Sequence, residues 1–320
     1  MIRRIGTVAL TLALVLWVLA QSSPGDFETL LARAGWSAML PAVLGLFASY
    51  ALRALRIWDE FRHDTALSYL DCLRLMLIHN AFVNLLPLRS GELAFPILLK
   101  RHAGIGYARS TGSLLWWRLQ DISVLLGIAA LTWPELPPAM RVLVLAGWFA
   151  LVFAGTGYAH RYESRLYTLF ASSPGMPTTG LFGKLLVAFA QATRASRRGW
   201  LWTIANWSVK LVAQSILLAA LLPGELRVAA VGVLGAEAAA VLPVQGVAGF
   251  GSFEAGAAAA LATQSYAFSD GLRVALLLHL FVLACAVLAS FPAWLLQRSS
   301  TASLLSSTEK AGRSGDTPTP

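Results

Sequence analysis

Charge is what this chain has least of. Only 13% of its 320 residues are Asp, Glu, Lys or Arg. A soluble domain carries about 25%, so a globular protein in water is excluded. Cysteine is nearly absent: Cys72 and Cys285 stand alone, both in apolar stretches. That excludes a disulfide framework and a cysteine-based zinc site. There is no His-Glu-x-x-His run, no serine–histidine pairing and no cysteine nucleophile setting. An intramembrane enzyme is therefore the poorest function class, and neither metal nor cofactor is expected. Acidic residues number 16 against 25 basic ones, for a net charge of +9. On so apolar a chain, that excess points to cytoplasmic loops and anionic lipid rather than nucleic acid.

What fills the chain is apolar. Hydrophobic residues make up 57% of it, and mean hydropathy is +0.65. The pattern predicts an all-α polytopic membrane protein with spans at 5–20, 36–52, 110–131, 140–159, 200–222 and 272–296. The first span follows Arg3-Arg4 and reads as a retained signal anchor, with a cleaved signal peptide as the alternative. Arg53, Arg56, Arg62, His63 and Arg74 read as a basic connection after the second span. A longer basic stretch covers 160–199, and its part from Leu181 to Ala195 looks amphipathic and suited to the cytoplasmic surface. Residues 1–298 form the membrane domain, with halves of about 1–135 and 136–298. Residues 299–320 are polar and are expected to be a disordered cytoplasmic tail.

Two stretches interrupt the pattern. The first broken segment, 75–99, contains Asn84-Leu85-Leu86-Pro87-Leu88-Arg89-Ser90-Gly91-Glu92. Pro87 lacks an N–H, and Leu86 before it is pushed out of the helical region. An arginine near the bilayer centre costs roughly 3 kcal/mol unless it finds a partner or water. Basic clusters flank both ends, with Lys100, Arg101, His102 and Arg109 on the far side. The segment therefore reads as a re-entrant hairpin, 75–86 and 90–99; a single kinked span is the alternative. The second break follows the apolar run 228–242 and reads Leu242-Pro243-Val244-Gln245-Gly246-Val247-Ala248-Gly249-Phe250-Gly251-Ser252-Phe253-Glu254, with 254–264 returning. A glycine-rich loop at membrane depth persists only where protein or a water-filled cavity covers it.

Taken in order, six spans and two re-entrant broken-helix hairpins make an inverted repeat, a plan that places a site where the breaks meet. Each break reads Leu-Pro, then Ser-x-Glu. Ser90 and Ser252 are expected as N-caps, with the first-turn N–H groups of the returning arms facing an anion. Arg89 adds positive charge beside them. Glu92 and Glu254 complement the helix dipoles or meet a proton or a headgroup amine. Arg118 and Asp121, one turn apart, read as a self-neutralising pair that can line the cavity. Lys210 lies mid-span, with Glu237 a distant candidate partner. Asn84, with His79 and Asn80, bonds between helices or joins the site. Gln245, Gly249 and Gly251 belong to the second loop, where glycine gives the backbone its freedom.

The Asn84-to-Glu92 stretch, then Arg118-Leu119-Gln120-Asp121, then the Leu242-Pro243…Gly249-Phe250-Gly251-Ser252-Phe253-Glu254 loop resemble the flippase-like integral membrane family. That family includes the transmembrane region of lysylphosphatidylglycerol synthases. The resemblance covers about residues 1–298. It implies translocation of a lipid across the bacterial cytoplasmic membrane, or assistance to a lipid, hopanoid or glycan pathway. Two departures are visible: Gln245-Gly246-Val247-Ala248 stands where the family loop reads Pro-Gly-Gly, and Trp117 stands where a glutamate often precedes Arg-x-x-Asp. The synthases' soluble aminoacyl-transfer domain is not expected after residue 298. The function expected is flipping of an anionic or phosphate-bearing lipid in the inner membrane, termini cytoplasmic. The partner is then the lipid, with a biosynthetic enzyme in the rival scaffold role.

Overall fold

A computed structural model describes residues 24–133, 135–172, 180–195, 198–222, 225–241 and 246–313. Among these, helix is the only regular structure. The α-helices are α1 (Pro24–Phe61), α2 (Tyr69–Leu85), α3 (Ala94–Ala103), α4 (Tyr107–Thr132), α5 (Pro138–Ser172), α6 (Leu181–Ala195), α7 (Gly199–Leu221), α8 (Leu226–Val241), α9 (Ser252–Ala262) and α10 (Phe268–Arg313). Two 3-10 turns, Pro87–Leu93 and Val247–Gly249, stand at the two breaks.

Five helices are long and apolar enough to cross a membrane: Ala32–Phe61, Tyr107–Thr132, Pro138–Arg165, Gly199–Leu221 and Phe268–Phe291. They coincide with five of the six expected spans; the first, 5–20, lies outside the described residues. The chain is a multi-pass membrane protein.

The largest difference from expectation is α1. It runs on to Phe61, so Arg53 and Arg56 lie within a span and not in a basic connection. No proline or glycine interrupts 46–61, and both arginines find polar partners inside the protein, described below. Two further arms are longer than expected. Helix α2 begins at Tyr69, where Ser68 and Asp71 form a reciprocal cap. The Ser68 hydroxyl, ahead of the other causes, holds the Asp71 carboxyl below its ordinary range. At 17 residues α2 is about 26 Å long and reaches across most of the hydrocarbon core. It stops where Leu86 turns extended before Pro87 (φ −90, ψ 139). Helix α10 continues through 299–313, where the sequence reads as a tail without structure; 314–320 lie outside the described residues.

Packing uses small residues, as close helix approach inside a membrane requires. Helices α1 and α7 cross antiparallel at Gly45 and Ala213, where a Cβ on Gly45 would lie 2.5 Å from the alanine Cβ. Ser49 Oγ donates to Asn206 Oδ1 across the same crossing, at 2.7 Å. Helices α8 and α9 meet at Gly235 and Gly256, each leaving room for the other's backbone. Helix α6 has the expected bounds, and it lays a buried face of Gly183, Ala188, Ala190 and Ala192 down. The face meets α4 at Gly112, 2.6 Å from Ala188 carbon for an added Cβ.

Candidate functional site

The two breaks meet. The turn Pro87–Leu93 touches the turn Val247–Gly249, and a cavity of about 120 Å³ opens beside them, walled by α1, α2, α4, α7, α8, α9, α10 and the second turn. Its wall is polar for a space between apolar helices.

Helix α4 brings Arg118 and Asp121. Arg118 Nε donates to Glu92 Oε2 at 3.1 Å and Nη2 lies 2.9 Å from Glu92 Oε1, a two-pronged grip. Its Nη1 reaches Asp121 Oδ2 at 3.2 Å. Asp121 Oδ1 accepts from Arg56 Nη1 at 3.0 Å and from Trp207 Nε1 at 3.1 Å. Arg56 Nη2 donates to Gln120 Oε1 at 2.7 Å, and its guanidinium lies over the Trp117 ring. The expected private pair of Arg118 and Asp121 is thus one link of a network joining α1, α4, α7 and the first break. Lys210 finds Glu237, as its position allows: Nζ donates to Oε2 at 2.7 Å, while Gln214 donates to Oε1 at 2.8 Å.

Arg53 is the exception. It lines the cavity, and its hydrogen-bond partner is the neutral Asn80 Oδ1 at 3.1 Å. Among the described residues it makes no ion pair, while Arg118, Arg56 and Lys210 are each matched by a carboxylate. Arg53 is not among the expected site residues, because the sequence places it in a basic connection. The signal was there in Ala51-Leu52, Ala54-Leu55 and Ile57-Trp58 continuing the apolar helix around it.

Of the expected site residues, Asn84, Arg118, Asp121, Lys210 and Gly249 line the cavity. Glu92 joins through Arg118. Two expectations are corrected. Ser90 lies exposed inside the first 3-10 turn and does not cap the returning helix, because α3 starts only at Ala94. Ser252 is the first residue of α9, not its cap, and its hydroxyl donates to Gly249 O. At the start of α9, Glu254 Oε2 accepts the Gly251 N–H at 2.8 Å. Glu254 Oε1 lies 2.6 Å from Nδ1 of His279, a cavity-lining residue. The side chain of Arg89 and the whole of Gln245 lie outside the described residues.

The loop conformation shows why glycine recurs there. Gly249 and Gly251 take φ +82 and +94, and Ala248 inside the second turn is held at φ +56, a position costing an alanine about 1 kcal/mol. The bonds repeat at matched spacings. Arg53 reaches Asn80 and Lys210 reaches Glu237, each 27 residues on. Glu92 and Arg118 are 26 apart; Glu254 and His279 are 25 apart. Ser49 and Asn206, 157 apart, bond each other, and the same offset carries Arg53 onto Lys210 and Asn80 onto Glu237.

Residues 4–301 match the family described as the lysylphosphatidylglycerol synthase transmembrane region. The chain belongs to that family. Neither a curated protein nor a solved structure matches it. Membership supports a lipid-related function in the membrane. The segments that carry the resemblance are those gathered here: the turn ending at Glu92, the Arg118 and Asp121 network, and the loop from Gly249 to Glu254.

Proposed function

We propose that this chain translocates an anionic, phosphate-bearing lipid across the bacterial cytoplasmic membrane, with the headgroup held at mid-membrane in the cavity between the two breaks. The observation that carries this is Arg53, a guanidinium in the cavity wall whose hydrogen-bond partner is neutral, while Asp121, the carboxylate that attracts it from farther off, is already bonded to Arg56 and Arg118. A guanidinium's planar fork fits two phosphate oxygens, and a charge with no ion pair of its own among apolar helices is costly unless something anionic meets it.

The same residues support an inverted repeat. A residue that touches its own counterpart lies on a two-fold axis, and Ser49 with Asn206 supports that role at the offset relating the two halves. In this arrangement 69–103 and 226–262 are re-entrant hairpins entering from opposite faces, and both termini are cytoplasmic. The rival is a non-transporting scaffold for a lipid or glycan pathway. A scaffold needs no polar cavity, and α6, in the basic stretch it would use, already packs its small face against α4.

The test is flipping of fluorescent phosphatidylglycerol in vesicles containing the purified protein. Arg53→Gln is expected to slow it about tenfold or more, equivalent to ~1.4 kcal/mol of lost headgroup binding. An unchanged rate overturns the proposal.

A further inference from the structure

The two halves differ in the partner of the glutamate that follows each break. In the first, Glu92 meets the permanent cation of Arg118; in the second, Glu254 meets the imidazole of His279. Arginine stays charged throughout the physiological range, whereas histidine is the side chain whose ordinary pKa lets it change charge between pH 5 and 8.

The geometry around His279 suits proton exchange with the cavity. Both members of the pair are buried, and Glu254 is fixed from the other side by Gly251 N–H. Nδ1 is therefore committed to the carboxylate. Nε2 has no hydrogen-bond partner among the described residues, and the ring forms part of the cavity wall. Phe253 stacks on the ring with centroids 4.5 Å apart, and Phe250 lies 4.8 Å away, so its plane is held. Gly249 leaves the ring edge open: a Cβ there would stand 3.5 Å from Nε2.

We infer that His279 and Glu254 form a proton-binding site coupled to the headgroup cavity, an inference that rests on the headgroup reading above. A proton from cavity water adds to the Nε2 lone pair and gives an imidazolium, balanced by Glu254 through Nδ1–H. The cavity wall thereby gains one positive charge and one donor. Release returns the proton to water and leaves the wall neutral there; only the Nε2–H bond forms and breaks. An anion in the cavity and a proton on His279 then raise each other's affinity by the same factor.

The other charged groups that line the cavity with His279 are Arg53 on α1, Lys210 on α7 and Glu237 on α8, with Arg118 and Asp121 on α4. His79 on α2 is the other histidine near this cavity. It packs on Phe95 with centroids 5.4 Å apart and lines an adjoining smaller pocket that shares Arg53, Arg118 and Asp121 with the cavity but not His279, which makes it the control.

The experiment is calorimetric titration of the full chain in detergent with dioctanoyl-phosphatidylglycerol, whose phosphodiester keeps its charge from pH 5.5 to 7.5. The unaltered protein is expected to bind about tenfold tighter at pH 5.5 than at 7.5, taking up protons as it binds. His279→Gln is expected to bind with no such pH dependence, and His79→Gln to keep the original profile. Glu254→Gln, whose amide oxygen still accepts from Gly251, is expected to move the rise in affinity to lower pH; it carries the test should the His279 variant fail to fold. A pH dependence that survives in His279→Gln, or vanishes in His79→Gln, overturns the inference. An affinity independent of pH in the unaltered protein overturns the coupling alone, whereas absence of binding at every pH overturns the headgroup reading itself.

Discussion

Glu92, in the turn that follows the first helix break, is gripped at both oxygens by Arg118 of α4. The pair ties an irregular turn to a membrane-spanning helix, and Asp121 holds the same guanidinium from below. Lysine supplies charge without the fork, so Arg118→Lys is not a conservative change. It is expected to lower stability by roughly 2–3 kcal/mol, read as a drop in the unfolding temperature of the protein in detergent. An unchanged unfolding temperature removes the tie from the account.

Lys210 and Glu237 separate structure from transport. Lys210→Met strands a carboxylate with Gln214 as its remaining partner and is expected to cost roughly 3 kcal/mol. Adding Glu237→Gln restores stability, because no buried charge is left over. If Lys210 also meets the headgroup, the double variant regains its unfolding temperature but not its flipping rate. Recovery of both assigns the pair to the scaffold of the helices alone.

The start of α2 has a pH signature. The Ser68 hydroxyl, ahead of the other causes, lowers the Asp71 pKa. A lowered carboxylate stabilises the fold above its unfolded pKa and loses that contribution as pH falls through the folded value. Ser68→Ala is expected to speed amide exchange at 69–74 near neutral pH, for a cap worth about 1 kcal/mol. The gap between the variant and the unaltered protein narrows in acid, once Asp71 is protonated in both. Equal exchange at neutral pH counts against the cap.

Sidedness is measurable on a quiet background, since Cys72 and Cys285 are both buried. Gly104→Cys is expected to react with an impermeant maleimide from the cytoplasmic side only, and Thr132→Cys and Phe268→Cys from the outer side only. Outer labelling at 104 turns 69–103 into a full crossing and removes the re-entrant arrangement.

Much of this was legible in the residues. The span at 107–132, the end of α2 at Leu86 before Pro87 and the bounds of α6 all follow from local properties: apolar length, a missing N–H and an amphipathic period. The Lys210 partner was also within reach, because a lone cation in a span needs a carboxylate at some helix, and few are on offer. Arg53 and Arg56 were misplaced for a reason of the same kind. Paired arginines after an apolar run look like a loop, unless Asn80, Gln120 and Asp121 from other helices are known to receive them. Ser90 and Ser252 were read as caps from type and position, while the 3-10 turn and the Glu254 carboxylate took the places they were given.

By itself, then, the sequence determined that this chain is a helical membrane protein, which family it resembles, and where its helices break, because those properties depend on neighbours a few residues away. Only the tertiary structure decided which charges neutralise one another. Attraction between buried ions falls off with distance in space and takes no account of separation along the chain. That is why Arg118 belongs to Glu92, why His279 belongs to Glu254, and why Arg53 is left to face the cavity beside a neutral asparagine.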